Sequence, residues 1–135
     1  MRIEGQVALV TDSASVEAAL DAVEAAYGTP RIVMNIAGMT LPLARDLAHD
    51  LAHDLAHDLA QFGIHVVTLA PGLFSTPLMK ELPEQVQTSL AHSIPFPKRL
   101  GHPEEFASLA AHVVTNTHLN GEVIRLDGAL RMAPR

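Results

Sequence analysis

Apolar residues in this chain fall into two patterns, short continuous runs and longer stretches with helical spacing. The short runs are rich in valine and isoleucine, which is typical of strands buried on both faces of a sheet. Four such runs predict strands over residues 6–11, 31–38, 64–72 and 121–129. Each run ends at a polar residue, a glycine or a proline, as expected where a strand enters a turn.

Between these runs, apolar residues recur every three or four positions, which predicts amphipathic helices. The predicted helices cover residues 13–28, 40–61 and 84–92, and a further helix begins at Pro103. The alternation predicts an α/β fold with a parallel sheet of about four strands, right-handed crossovers and one unusually long central helix. Ligands bind beyond the carboxyl ends of such strands, here residues 11–12, 35–38, 71–76 and 127–128.

The composition narrows the class of protein. The length of 135 residues, 48% of them apolar, predicts that residues 1–135 form one domain with a sizeable core. The net charge of −6 disfavours binding to nucleic acid. The sequence contains no cysteine, no signal-peptide pattern and no run of the ~20 apolar residues that a membrane span needs. We therefore expect a soluble, cytoplasmic protein that does not bind membranes.

Six segments in a fixed order resemble the short-chain dehydrogenase/reductase family. They are "GQVALVT", "VMNIAG", "GMTLPLARDLA", "FGIHVVTLAPGLFSTPL", "PFPKRLGHPEEFASL" and "LNGEVIRLDGALRM". The resemblance covers nearly the whole chain and is strongest to the branch that oxidises 3-hydroxyacyl-CoA thioesters and hydroxysteroids. It implies a truncated Rossmann-like sheet and NAD-dependent oxidation of a secondary alcohol.

Two turns match the family's cofactor-binding segments. The candidate cofactor-binding residues are Asn35, Ala37, Gly38, Pro71, Gly72 and Thr76. The resemblance implies that the first three line the adenosine side of NAD. The last three match a Pro-Gly-x-x-x-Thr segment, whose threonine holds the nicotinamide carboxamide. Alternatively, each segment is a tight turn that needs small residues whether or not a ligand binds.

Other family motifs are missing. The family follows its first strand with a glycine-rich phosphate loop, whereas here no glycine follows Thr11 until Gly28. Asp12 replaces the first glycine and repels a diphosphate, which predicts little or no binding of NAD. The family also uses a serine and a Tyr-x-x-x-Lys motif as its acid/base machinery. The single tyrosine, Tyr27, is followed four residues later by Arg31 and completes an apolar helical stripe, so we assign no catalytic residue.

Three functions remain open from the sequence. The chain is a degenerate dehydrogenase scaffold without its own turnover, a residual NAD(P)-dependent oxidoreductase, or an assembly and binding module. Short crossovers between four parallel strands predict helices on one face and an apolar second face that needs cover. Since the family associates through the long helix and the last strand, we expect a homo-oligomer with contacts at residues 47–59 and 121–132.

The tetrad Leu-Ala-His-Asp occurs three times without substitution in residues 47–58. Each tetrad advances a helix by ~40°, so four successive leucines spiral through ~120° and cannot all face one sheet. These leucines are Leu47, Leu51, Leu55 and Leu59. The histidines at 49, 53 and 57 have the spacing that chelates a divalent transition metal. The alternative is a solvated polar face produced by duplication; we favour this alternative and assign no metal site.

Overall fold

A computed structural model describes residues 7–10, 25, 32–36 and 42–131 of the chain. Four parallel strands form one sheet in the order β1-β2-β3-β4. They are β1 (Val7–Val10), β2 (Ile32–Ile36), β3 (His65–Pro71) and β4 (Glu122–Leu126). Every strand lies inside its predicted range, and the predicted parallel α/β fold is confirmed.

Four helices are described, and three of them match predicted helices. They are α1 (Pro42–Ala60), α2 (Pro77–Lys80), α3 (Glu84–Ser93) and α4 (Pro103–Thr115). Prolines stand at the starts of α1, α2 and α4, where the missing N–H costs no helical hydrogen bond. The sequence did not predict α2, which is a single turn. The predicted helix at 13–28 lies outside the described residues except for Ala25, which is helical. None of the helices in the described part of the chain is long and apolar enough to cross a lipid bilayer.

Strand β3 is the centre of the core and is buried along most of its length. Its valines at 66 and 67 point to opposite faces, because successive strand residues alternate. Val67 packs in a cluster with Val113 of α4, whereas Val66 packs with Ala52 and Ala56 of α1. Helices α1 and α4 therefore cover opposite faces of the sheet.

This arrangement corrects the expectation that all helices lie on one face. From β2 to β3 to β4 the chain steps in one direction across the sheet. Since α1 and α4 lie on opposite faces, the two crossovers have opposite hands, and one departs from the usual right-handed rule. The physical reason is the apolar character of β3 on both faces, which a helix on one side alone cannot bury.

Helix α1 meets the sheet through alanines rather than through its full leucine series. Ala52 and Ala56 are 2% and 5% exposed, whereas Leu51 is 53% exposed. Leu55 and Leu59 are half-buried beside the alanines. The expectation that the leucines cannot all face the sheet is confirmed, and the small side chains let the helix approach the sheet closely.

Candidate functional site

The carboxyl ends of β3 and β4 lie side by side and border a small cleft. Pro71 at the end of β3 is paired with Leu126 at the end of β4. The cleft measures about 80 Å³, which is far below the about 300–1,000 Å³ of ligand pockets. Its lining residues are Leu73, Phe74, Ile94, Pro97, Arg99, Gly101, Glu105, Leu126, Asp127 and Gly128.

Gly72 allows the turn after β3 to approach the turn after β4. Its N–H donates to the carbonyl oxygen of Leu126 at 2.9 Å. A Cβ at this position would lie 2.6 Å from Cα of Asp127 and 2.7 Å from its Cβ. The contact is with backbone, which a side-chain rotation cannot relieve. The glycine at 72 is therefore required by the packing of the two turns, independently of any ligand.

Asp127 is a charged residue of the cleft, and its carboxylate is fully engaged. Nε of Arg125 donates to it at 2.7 Å, Nη1 of Arg131 at 2.9 Å and the backbone N–H of Ala129 at 3.0 Å. The side chain is 8% exposed. Two guanidinium groups thus contact one carboxylate, and Asp127 holds the turn after β4 in place.

Thr76 starts helix α2. Its Oγ1 accepts a hydrogen bond from the N–H of Met79 at 3.3 Å, and its own N–H donates to the carbonyl oxygen of Phe74 at 2.8 Å. The residue is exposed. This cap explains why a helical turn follows Pro77, and it gives the threonine a structural task in the absence of a ligand.

The other candidate cofactor-binding residues are only partly described. Asn35 lies in β2, level with Thr68 of β3. Gly72 is four residues beyond Thr68, which corresponds to about 13 Å along a strand. Ala37 and Gly38 lie outside the described residues, as do Asp12 and Tyr27. Pro71 and Gly72 thus lie at the end of β3 and Thr76 caps the next helix, whereas Asn35 lies within β2.

Sequence reasoning missed an ion pair at the rim of the cleft. The two guanidinium nitrogens of Arg99 donate to the two carboxylate oxygens of Glu105 at 2.9 and 2.7 Å. The N–H of His102 also donates to Glu105, at 2.7 Å. The hydrogen bonds from Arg99 and then from His102 lower the pKa of Glu105 to about 2 from 4.5. Glu105 raises the pKa of Arg99 in turn. Glu105, two residues after Pro103, is a capping signal that the sequence shows. No pattern in the sequence identifies Arg99 as the partner of Glu105.

The aromatic ring of Phe74 closes the cleft from one side. A Cβ on Gly101 would lie 2.6 Å from this ring, and the ring of Phe106 meets it edge to face at 6.0 Å between centroids. The N–H of Gly101 donates to the carbonyl oxygen of Leu73 at 2.9 Å. The segment before α4 is thereby tied to the end of β3, which leaves little open volume between them.

Comparison with known proteins identifies the family. A sequence profile described as Enoyl-(Acyl carrier protein) reductase matches residues 43–130. The 3-hydroxyacyl-CoA dehydrogenase type-2 of Rattus norvegicus is 50% identical over 131 residues, which are 96% of this chain and 45% of the relative. The protein of the same name from Drosophila melanogaster is 48% identical over 133 residues, 97% of this chain and 46% of the relative.

A solved structure agrees with these relatives. The crystal structure of 3-hydroxyacyl-CoA dehydrogenase type-2 from Mycobacterium avium superimposes with a TM-score of 0.68 at 39% identity, over 77% of this chain and 44% of that one. The chain thus spans about half the length of the curated relatives that it matches. Its fold, its order of elements and its sequence all agree with one assignment. The chain belongs to the short-chain dehydrogenase/reductase family and resembles the 3-hydroxyacyl-CoA dehydrogenases of type 2.

Proposed function

We propose that this chain is a short-chain dehydrogenase/reductase scaffold without its own turnover. The observation that carries the proposal is the missing acid/base pair. The reaction that the resemblance implies, oxidation of a secondary alcohol, needs a tyrosine with a lysine four residues later. The chain has one tyrosine, Tyr27, with Arg31 at that spacing, and its lysines are Lys80 and Lys98.

The residues present also fit NAD poorly. Asp12 puts a negative charge where a diphosphate needs bare backbone N–H groups. At the other end of the implied site, Gly72 lies against Asp127, and the cleft that the described residues form there measures only about 80 Å³. We therefore assign no reaction step to a cofactor. A cytoplasmic location agrees with the absence of cysteine from the sequence.

A titration with NADH tests the proposal. We expect no saturable change in NADH fluorescence and no reduction of NAD in the presence of a 3-hydroxyacyl-CoA or a hydroxysteroid. The M. avium enzyme, measured in parallel, is the positive control. Asp12→Gly removes the carboxylate, so any NADH response should be larger in this variant. A micromolar response of the unaltered chain, or turnover of either substrate, would refute the proposal.

A second candidate function is self-assembly. It is suggested by two large apolar side chains that are exposed on α1 and just beyond its end. Leu51 on α1 is 53% exposed, and Phe62, just beyond its end, is 65% exposed. In the described sheet, β4 is an edge strand that pairs with β3 alone, which leaves its outer backbone groups open. These features support a homo-oligomer formed through α1 and β4.

Light scattering on a dilution series tests the assembly. We expect a dimer or larger species, and we expect Leu51→Glu to shift it towards the monomer, because the variant places a charge in the apolar contact. Ala60→Glu is the matched control, since Ala60 is exposed on the same helix. A monomer at every concentration, or equal effects of the two variants, would contradict this assignment.

A further inference from the structure

The outer face of α1 carries a row of histidines that no step of the proposed function uses. His49, His53 and His57 follow one another at intervals of four residues, and all three are exposed. Residues four apart are neighbours on a helix surface. His53 is therefore a neighbour of both other histidines, while His49 and His57 are two turns apart.

The rings of His53 and His57 are already close to a chelating separation. Their centroids are 4.6 Å apart, and their planes are inclined by 56°. Two imidazoles that bind one zinc ion at about 2.1 Å, with tetrahedral to right-angled geometry, have centroids about 4.5–5.2 Å apart. The observed separation falls in this range. The separation of the two rings is therefore compatible with one ion between them, once a nitrogen of each ring turns towards it.

The neighbouring aspartates favour a cation at this face. Nδ1 of His53 lies 3.7 Å from a carboxylate oxygen of Asp54. The carboxylate thus adds negative charge beside the ring of His53. Asp54 and Asp58 are both exposed, and the whole chain carries a net charge of −6. Their field attracts a divalent cation to the helix surface.

We propose that His53 and His57 form a two-ligand site for a divalent transition metal such as Zn²⁺, with water completing its coordination. Imidazole ligands favour zinc, nickel and copper over magnesium and calcium. In the described part of the chain, no group of three potential ligands surrounds one metal position. With two protein ligands the site is an exchangeable one, weaker than a four-ligand structural site.

Calorimetric titration of the whole chain with ZnCl₂, in a buffer that does not bind zinc, tests the site. His53→Ala removes the residue shared by both pairs and should weaken binding by about tenfold or more, because the second ligand no longer acts intramolecularly. His49→Ala and His118→Ala are matched controls that each remove one exposed histidine and keep the pair. We expect both to retain the affinity of the unaltered chain within a few-fold.

Two further measurements complete the test. The imidazole proton resonances of His53 and His57 should shift together on addition of zinc, and MgCl₂ should shift neither. Circular dichroism should be the same for all three variants, since the substituted side chains are exposed. Absence of saturable zinc binding, equal losses in His53→Ala and His118→Ala, or shifts confined to other histidines would each overturn the proposal.

Discussion

Gly72→Ala separates a structural role of this glycine from a role in binding a cofactor. The added methyl carbon would lie 2.6 Å from Cα of Asp127, whereas ordinary contacts begin at 3.4 Å, so the two turns must separate by about 0.8 Å. Overpacking of this kind costs about 1–3 kcal/mol, and strain on the bond from Gly72 to Leu126 adds about 0.5–1.5 kcal/mol. We therefore expect a loss of about 1.5–4.5 kcal/mol in the free energy of unfolding.

Urea denaturation followed by circular dichroism measures this loss without any ligand. Gly63→Ala is the control, because its new methyl group has nothing within 4 Å. The only cost of this substitution is the backbone strain of an alanine at a φ of +70°. That strain costs about 1–2 kcal/mol. If Gly72→Ala leaves the unfolding free energy unchanged, or costs less than Gly63→Ala, the packing argument is wrong. In that case a ligand-binding role for Gly72 becomes the better explanation.

Two other predictions concern α4 and α1. The pKa of Glu105 is lowered from 4.5 to about 2, so its ionised form stabilises the fold above pH 4.5 and this contribution is lost as the pH falls towards 2. Thermal melts of Glu105→Gln should thus show a lower Tm than the unaltered chain at pH 7 and a shrinking difference below pH 4.5; a constant difference would contradict the role of the charge. Ala56→Leu should cost about 1–3 kcal/mol by overpacking, because a Cβ on Gly121 would already lie 3.4 Å from Cβ of Ala56. The same change at exposed Ala60 should stay within about 0.5 kcal/mol, and equal costs in urea denaturation would show that Ala56 does not face the sheet.

The candidate site was partly predictable from the sequence. The alternation of predicted strands and helices located the edge of the sheet where the strands have their carboxyl ends. The structure places Pro71 and Gly72 at this edge, beside the end of β4. The resemblance implies a cofactor contact for Gly72 and Thr76, which stays a prediction; the structure adds a packing role for Gly72 and a capping role for Thr76. A glycine pattern does not distinguish these roles, because close approach of a ligand and close approach of a second turn both exclude a side chain.

Partners that are distant in sequence account for what the pattern missed. The bond between the N–H of Val66 and the side chain of Asn120 spans 54 positions, and the closure of the cleft depends on Phe74 meeting Gly101. Each of these contacts depends on where two segments meet, which hydrophobic spacing does not encode. Arg99 is only six residues from Glu105, but their ion pair also depends on how the segment before α4 folds back, which hydrophobic spacing does not encode.

By itself, the sequence determined the four strands, the long helix with its repeated tetrad and the position of the site edge. These features follow from local patterns, since continuous apolar runs indicate strands that are buried on both faces and a period of 3.6 residues indicates helices. Only the tertiary structure decided that α1 and α4 cover opposite faces, and that Ala52 and Ala56 rather than the whole leucine series meet the sheet. Because a four-residue repeat spirals around the helix, only some of the repeated leucines and alanines of α1 can face the flat sheet. Close packing against the sheet decides which of them do.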